Sequence, residues 1–249
     1  MIIESVKTRR VTPGGCTIGE LLDESIPRLA PRSIVAVAAK VIALCEGRAV
    51  AMEGTDKDSL IRQEADRYLP STSNPYNVTI SITRHHLVAS GGIDESNGDG
   101  YYVLWPEDLQ ASANAIRSHL CTAHDTQDIG VIITDSTTRP FQWGTTGLGI
   151  AYSGFAPLKD YRGTKDLFGR ELQFQQNNLV NGLAAAAVTL MGEGDEQTPL
   201  AIISDLPAID FQRRDPTEEE LATLRIGLEE DLYAPLLQSV PWLRGNRQG

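Results

Sequence analysis

The spacing of apolar and polar residues divides the chain into predicted helices and strands. A capping box at 17–20 opens an amphipathic helix that we expect to continue to about Leu29. The apolar, β-branched run 33–39 predicts a strand buried on both faces, which should bring Lys40 to an edge of the core. The other predicted elements are a helix at 56–67, a loop at 71–75, a strand at 78–90, a helix at 106–123, a strand at 129–134, a helix at 176–191, a strand at 200–203, and a last helix opened by a capping box at 217–220.

Helices and strands alternate along the whole chain, without a repeat or an obvious linker. This pattern predicts a mixed α/β or α+β core. A chain of 249 residues with 41% hydrophobic residues can bury such a core. We therefore predict one domain covering residues 1–249.

Composition narrows the classes of function. The formal net charge of -11 disfavours binding to nucleic acids and to anionic membrane surfaces. No apolar run approaches the roughly 20 residues that cross a bilayer, and the first residues do not resemble a signal peptide. We expect a cytoplasmic protein.

Cysteine and histidine spacing does not indicate a metal site. The three cysteines, Cys16, Cys45 and Cys121, form no Cys-x-x-Cys pair, and buried thiols are the simpler interpretation. The four histidines form no His-Glu-x-x-His motif. Any bound metal is therefore expected to have oxygen ligands.

The first acidic loop, 91–97, follows the predicted strand 78–90. Its paired glycines allow the backbone to approach a ligand closely, and Asp94 and Asn97 offer hard oxygen atoms. An ordinary turn rich in Gly, Asn and Asp is the structural alternative.

The second acidic segment lies at the carboxyl end of the strand 129–134. Asp135 and Ser136 stand where ligands commonly bind in open α/β sheets, and such a pair can hold magnesium under nucleotide phosphates. Alternatively, either side chain caps a turn or a helix.

The third acidic segment, 191–196, directly follows a predicted helix. Glu193, Asp195 and Glu196 place three carboxylates within four positions. Taken alone, the segment is explained more simply as a solvated acidic loop with a glycine at the end of the helix.

A basic, glycine-punctuated run occupies 159–171. Arg162 and Arg170 can each bind a carboxylate or a phosphate through two hydrogen bonds. The alternative is a surface network of ion pairs with Asp160, Asp166 and Glu171. Neither a Walker loop nor a G-x-G-x-x-G motif occurs, so any nucleotide is bound by other means.

The order and spacing of these segments resemble the coenzyme F-420-type L-glutamate ligases, over almost the whole chain. Each motif is weak alone, and their joint order is specific. The matching segments are 92–97, 106–108 with Ala113 and Arg117, 134–136 with Arg139 and Pro140, 160–163, 169–172, 183–187 and 191–196.

The resemblance implies a mixed α/β, two-lobed ligase that uses GTP, or ATP, and two divalent ions, Mg²⁺ or Mn²⁺, with K⁺ as a further ion. By similarity, Asp94 and Asp135 hold one metal, Ser136 and Glu193 hold the other, and Asn97 contacts the nucleotide. Arg162 and Arg170 are predicted catalytic residues because their chemistry suits an acidic acceptor or a transferred phosphate. The other predicted nucleotide-binding residues are Arg9, Arg10, Val11, Lys40, Gly192, Gly194, Asp195 and Glu196.

Several positions depart from the family pattern. The stretch 8–15 carries extra arginines that suit phosphate binding, the second lysine of a Ser-Lys-x-x-Ser-Lys pattern is Leu44, and a Thr-Asp pair is Thr146-Gly147. The changes at 137–141 and at Gly147 fall where an acceptor is expected to bind.

The expected function is therefore metal- and nucleotide-dependent formation of a γ-glutamyl amide between L-glutamate and a small acidic acceptor, through an acyl phosphate. The acceptor is a coenzyme F-420 precursor or folate. The alternative, motivated by Leu44, is a metal- and nucleotide-binding protein without ligase activity. The resemblance also implies a homodimer.

Overall fold

The computed structural model of the protein describes residues 1–247. Seven α-helices are assigned in this range: α1 (Ile18–Ser25), α2 (Ala39–Cys45), α3 (Lys57–Glu64), α4 (Leu109–Ala123), α5 (Leu179–Met191), α6 (Glu218–Ala222) and α7 (Ala234–Leu237). The strands are β1 (Ile2–Val6), β2 (Ser33–Ala38), β3 (Ala49–Ala51), β4 (Arg67–Leu69), β5 (Ile80–Thr83), β6 (His86–Ala89), β7 (Tyr101–Val103), β8 (Ile129–Thr138), β9 (Thr145–Ser153), β10 (Leu158–Asp160), β11 (Gln176–Asn178), β12 (Leu200–Ser204) and β13 (Leu243–Arg244).

A five-stranded mixed sheet in the order β1-β12-β2-β8-β9 forms the centre of the protein. Only β2 and β8 run parallel to each other, and the other neighbours are antiparallel. Side chains of β2 alternate between two cores: Val35 and Val37 face one, and Ile34 and Ala36 face the other. The prediction of a strand buried on both faces is therefore confirmed.

Helices cover both faces of this sheet. On one face, α1 and α4 contribute Leu22, Ile116 and Leu120 to the same core as Val35 and Val37. On the other face, α5 lies so close to β9 that a Cβ atom at Gly147 would be 2.4 Å from the backbone oxygen of Ala184. The departure from the family pattern at Gly147 therefore has a packing reason, because a side chain there would displace the helix.

A second, four-stranded sheet in the order β13-β4-β5-β6 lies beside α3 and the β3–β7 ribbon. Between α3, the loop after β6 and the β3–β7 ribbon lies a small core of Leu60, Ile61, Ile93 and Leu104. The loop after β6 leads from this sheet towards the central one. The combination of helices with mixed and antiparallel sheets confirms the predicted α+β class.

Two hairpins carry exposed apolar side chains. The turn between β8 and β9 carries Phe141 and Trp143, which are almost completely exposed. The β10–β11 hairpin ends in the segment 161–175, which we call the arm, and which exposes Leu167, Phe168 and Phe174.

Several sequence-based boundaries are wrong. The predicted strand 78–90 is a hairpin, because Arg84 and His85 form a two-residue turn between β5 and β6. The predicted helix 176–191 starts as strand β11 and becomes helical at Leu179, and the helix predicted from Pro106 begins at Leu109, capped by Asp108. Both helices with capping boxes occur: the first ends at Ser25, earlier than the predicted Leu29, and the second spans Glu218–Ala222. The predicted helix at 56–67 ends at Glu64.

The elements α2 and β9 were not predicted. The apolar residues of α2 continue directly from β2, so composition shows no boundary between them. The domain predicted for 1–249 has its last two residues outside the described range, and its division into one or more domains stays a prediction.

Candidate functional site

A cavity of about 610 Å³ opens at the end of β2 and beside residues 134–136 of β8, which continues to Thr138 and so extends past the predicted strand end at 134. Its walls come from the segment before α1, the start of α2, the loop after β6, the strand β8 and the loop after α5. All thirteen predicted nucleotide and metal residues line it: Arg9, Arg10, Val11, Lys40, Asp94, Asn97, Asp135, Ser136, Gly192, Glu193, Gly194, Asp195 and Glu196.

Lys40, in the first turn of α2, links this helix to the loop after β6. Its Nζ lies 2.6 Å from Asp94 Oδ2 and donates hydrogen bonds to the backbone oxygen and Oγ of Ser96, both at 2.9 Å. Burial opposes ionisation of Asp94, but the hydrogen bond and positive charge of Lys40 hold the pKa of Asp94 below its ordinary value. Asp94 is therefore a stable anion inside the cavity.

The paired glycines before Asp94 are explained mainly by packing. Gly92 has a φ of 77°, and a Cβ atom there would lie 2.4 Å from the Trp105 ring. A glycine is thus needed at this position for the loop to pack against Trp105. Gly92 also lines the cavity.

Asp135 lies on the face of β8 that also carries Val131 and Ile133, and this face meets Trp105. Trp105 Nε1 donates to Asp135 Oδ2 at 2.6 Å, and the Ser136 backbone nitrogen donates to Oδ1 at 2.8 Å. Burial of the carboxyl group raises the pKa of Asp135 to about 6, and the nearby charge of Asp94 acts in the same direction. A nearby cation would stabilise the ionised form.

Contacts between β8, the loop after β6 and the loop after α5 close the cavity. Ser136 Oγ donates to Glu193 Oε1 at 2.6 Å, and Asn97 Nδ2 donates to the backbone oxygen of Gly194 at 2.9 Å. Glu196 folds back to accept a hydrogen bond from the Gly194 nitrogen at 2.8 Å. Gly192 follows α5 with a φ of 81°, in contact with the Glu196 carboxylate, so only glycine fits there.

The donor atoms of the site suit a hard divalent cation. Carboxylate and hydroxyl oxygens from three separate segments face one cavity, which is the chemistry that Mg²⁺ and Mn²⁺ prefer. Within residues 1–247, however, no three His, Cys, Asp or Glu side chains are grouped closely enough to hold a metal. Asp94 instead engages Lys40, Asp135 engages Trp105, and Glu193 engages Ser136.

The segment before α1 forms the opposite wall. Arg9, Arg10 and Val11 line the cavity, and the Arg9 side chain also pairs with Glu24 at 2.8 Å. Leu44, at the position of the missing lysine, is buried with Val103. An apolar core contact therefore replaces the charge that the family pattern has at this position.

Arg162 and Arg170 lie outside the cavity, in the arm. Arg162 Nη2 lies 2.6 Å from Asp160 Oδ2, as in the alternative of a surface ion pair. The Arg170 backbone nitrogen donates to Asp166 Oδ1 at 2.9 Å. The catalytic roles of both arginines stay predictions.

Trp105 and Ser96 belong to the site but were not predicted from the sequence. Trp105 positions Asp135, and Ser96 shares both Lys40 and Asp94. The available signals were a tryptophan just before the predicted helix at 106 and a hydroxyl inside the first acidic loop. Neither feature of the sequence predicts a function for its residue, because the function depends on a contact that only the folded chain makes.

Comparison with known proteins finds a family model and several relatives that match most of the chain. The family model F420-0:Gamma-glutamyl ligase matches residues 5–205. A coenzyme F420:L-glutamate ligase of Methanopyrus kandleri is 34% identical over 82% of this chain and 86% of its own length. The enzyme of the same name from Methanothermobacter thermautotrophicus is 32% identical over 75% of this chain and 80% of its own.

A coenzyme F420:L-glutamate ligase of Methanococcus maripaludis strain C6 is 39% identical over 63% of this chain and 61% of its own length. None of the helices in residues 1–247 has the length and hydrophobicity needed to cross a membrane. The matched residues 5–205 include the whole cavity. On this evidence the chain belongs to the F420-0:gamma-glutamyl ligase family, a family of ligases that form γ-glutamyl bonds.

Proposed function

We propose that this protein is a metal- and nucleoside-triphosphate-dependent ligase that joins L-glutamate to a small acidic acceptor by an amide bond. One observation carries the proposal: every predicted nucleotide and metal residue, drawn from distant parts of the chain, lines one cavity in a member of a γ-glutamyl ligase family. The cavity volume of about 610 Å³ is in the range of small-molecule sites.

An acyl phosphate provides the activation that amide formation requires. An acceptor carboxylate oxygen attacks the γ-phosphorus, and the nucleoside diphosphate leaves. The amine of L-glutamate then attacks the acyl carbon, phosphate leaves, and the amine loses a proton. Positioning and charge stabilisation are the main contributions that a protein makes to such phosphoryl transfer.

Asp94 and Asp135 are the proposed ligands of one divalent ion, and Ser136 and Glu193 of another. When bound, such ions neutralise the charge of the phosphates. Lys40 is positioned to contribute a positive charge at the same place, since its Nζ already contacts Asp94. Trp105 orients the Asp135 carboxylate through its hydrogen bond. We include K⁺ as a further ion on the resemblance alone.

For the nucleotide, we propose GTP, with ATP as the alternative. Asn97 and the backbone of the loop at 192–196 supply donors and acceptors, and Arg9 and Arg10 supply positive charge. The loss of a lysine at Leu44 makes these arginines the more important phosphate contacts.

For the acceptor, we propose a coenzyme F-420 precursor, with folate as the alternative. Three relatives at 32–39% identity carry coenzyme F420 and L-glutamate in their names, and the family model carries F420-0. Folate also ends in a glutamate that amide bonds can extend. The altered residues at 137–141 lie on the exposed β8–β9 hairpin.

We also propose a homodimer. The arm exposes Leu167, Phe168 and Phe174, and the neighbouring hairpin exposes Phe141 and Trp143. Such a concentration of exposed apolar side chains is typical of an interaction surface. A second copy that covers the arm would also bring Arg162 and Arg170 into a partly buried environment.

The test is to incubate the protein with GTP or ATP, Mg²⁺ or Mn²⁺, L-glutamate and each acceptor. Glutamate-dependent release of nucleoside diphosphate, with an acceptor mass gain of one glutamyl unit, supports the ligase. Tight nucleotide binding without turnover on any acceptor supports the alternative, a non-catalytic metal- and nucleotide-binding protein.

A further inference from the structure

A second cavity, of about 480 Å³, lies on the other side of Trp105 from the cavity of about 610 Å³, which we call the nucleotide cavity after its proposed ligand. It is bounded by the β5–β6 turn, by β9, by the first residues of α4 and α5, and by the segment after α6. None of the residues predicted from the sequence as catalytic, nucleotide-binding or metal-binding lines it.

Three arginines, Arg84, Arg225 and Arg247, line this cavity. His86 lines it as an uncharged ring, because burial lowers the pKa of His86 to about 4. The Nε atom of Arg84 is buried without a hydrogen-bond partner, although Arg84 is otherwise held by the protein. Within residues 1–247, no carboxylate lies within 4.0 Å of Arg225, and the carboxylate nearest to the Arg247 guanidinium is Asp66, at 4.0 Å.

The carboxylates of the cavity are already engaged. Asp66 Oδ2 accepts a hydrogen bond from the Arg84 backbone nitrogen at 2.8 Å, and Glu107 pairs with Arg48 at 3.0 Å. Asp108 caps α4 by accepting hydrogen bonds from the nitrogens of Gln110 and Ala111. Arg225 and Arg247 therefore have guanidinium groups available to a ligand, whereas the Arg84 guanidinium also lies 3.8 Å from Glu64 and donates to the Pro106 backbone oxygen.

Two helix N-termini point to the same region. Residues of the first turns of α4 and α5, which are 15 and 13 residues long, line the cavity. The positive end of each helix dipole favours an anion there. Three arginine side chains and two helix ends, from five separate parts of the sequence, thus favour an anion.

The turn that carries Arg84 and His85 is strained. Their φ angles are 49° and 67°, in a two-residue hairpin turn where such angles favour Asn and Gly. Arginine and histidine at these positions have no local advantage, so we attribute their presence to the cavity that they line.

The second cavity shares a wall with the nucleotide cavity. The His86 ring packs edge-on against Trp105, whose Nε1 donates to Asp135. Gly149 lines the second cavity, and its partner across the β8–β9 ladder, Thr134, lines the first. A molecule in the second cavity would therefore lie next to the place where phosphate is transferred.

We propose that the second cavity binds an acidic substrate through its carboxylate or phosphoryl groups, with Arg225, Arg247 and Arg84 as the recognising cations. This inference rests on the proposed ligase function, which requires two acidic substrates besides the nucleotide. L-glutamate and the acceptor share the required chemistry, and the experiment distinguishes them.

The test is a calorimetric titration of the full chain, first with Mg·GDP to fill the nucleotide cavity, and then separately with L-glutamate and with the coenzyme F-420 precursor. The protein is compared with the Arg225→Gln/Arg247→Gln double variant and with Arg28→Gln. Arg28 is exposed, lines neither cavity and has no carboxylate within 4 Å among residues 1–247, so its replacement is a matched control for charge.

We expect the double variant to weaken binding of one of the two substrates by roughly fivefold or more, since each lost arginine removes a charge-assisted hydrogen bond. Arg28→Gln should leave that affinity unchanged, and all variants should bind Mg·GDP equally. The substrate that is weakened identifies the occupant. Arg225→Gln alone serves if the double variant does not fold.

Two outcomes overturn the inference: neither substrate binds the unmodified protein after Mg·GDP, or a substrate binds it and the double variant equally. Failure of Mg·GDP to bind at all is a separate result. It contradicts the proposed nucleotide dependence, and the comparison of variants with each substrate still decides the second cavity.

Discussion

Two ion pairs in this protein are almost identical locally and very different in their surroundings. Lys40–Asp94 and Arg162–Asp160 both have an N–O distance of 2.6 Å, and their carboxylates are 42% and 44% exposed. The first faces the nucleotide cavity, whereas the second lies at the base of the exposed arm.

The pKa values of the two aspartates do not distinguish the pairs either, because both are lowered. Arg162 lowers the pKa of Asp160 to about 2 through its hydrogen bonds, and Lys40 lowers the pKa of Asp94 against the effect of burial. The comparison teaches that an ion pair by itself does not indicate a site. The convergence of other chain segments on Asp94 does.

The largest effect should come from the cavity residue that Trp105 orients. Asp135→Asn keeps an oxygen for the Trp105 hydrogen bond but removes the negative charge, so ligase turnover should fall roughly a hundredfold or more. Steady-state rates measure this, with Asp205→Asn as the surface control. Full activity of Asp135→Asn would remove this residue from the mechanism, provided that both variants melt at the temperature of the unmodified protein.

The next largest effect concerns packing: replacing a glycine should destabilise the protein more in the central sheet than in the arm. Gly147→Ala forces a Cβ atom against the Ala184 backbone, and should lower the free energy of unfolding by about 2 kcal/mol. Gly169→Ala in the arm meets no neighbour and suffers only from its φ of 83°, so about 1 kcal/mol or less is expected. Chemical denaturation gives both values, and equal losses would contradict the difference in packing.

The carboxylates of the two ion pairs, Asp94 and Asp160, can each be replaced by an amide. Asp94→Asn should weaken binding of Mg·GTP by roughly tenfold, because a proposed metal ligand is lost. Asp160→Asn should leave it unchanged. Titrations with and without Mg²⁺ make the test specific, since Asp94→Asn should not weaken binding of metal-free GTP. Equal affinities of the two variants for Mg·GTP would refute the role of Asp94.

The smallest expected effect concerns the arm. Arg170→Gln or Arg162→Gln should lower turnover by roughly fivefold while the affinity for Mg·GTP stays constant, because neither residue lines the nucleotide cavity. Lys165→Gln, in the same segment, is the matched control. If all three variants turn over normally, the arm arginines form surface contacts only, as the Asp160 pair indicates.

Local patterns predicted the elements whose signals are contained in a short stretch. The capping boxes at Thr17 and Thr217 and the buried strand at β2 all occur, because the atoms involved lie within four residues or on one strand. The strand predicted at 78–90 failed because the turn residues, Arg84 and His85, are not those that favour a turn. We attribute the presence of these two residues in the turn to the second cavity that they line, because their turn propensity does not explain it.

The site was predictable as a set of residues and not as a set of contacts. Acidic loops after strands, together with the family resemblance, indicated Asp94, Asp135 and Glu193, and the cavity does bring them to one place. The sequence contained no indication that Lys40 would pair with Asp94 or that Trp105 would hold Asp135. Those partners are separated by 54 and 30 positions, and only the folded chain selects them.

The sequence alone determined the α+β class, the order of the acidic segments and the family to which they belong, because these depend on residue type and spacing. The tertiary structure decided that Arg162 and Arg170 lie in an exposed arm, and that Arg84, Arg225 and Arg247 gather around a second cavity. The reason is physical: charges that are far apart along the chain act on one ligand only when packing of the core brings them together.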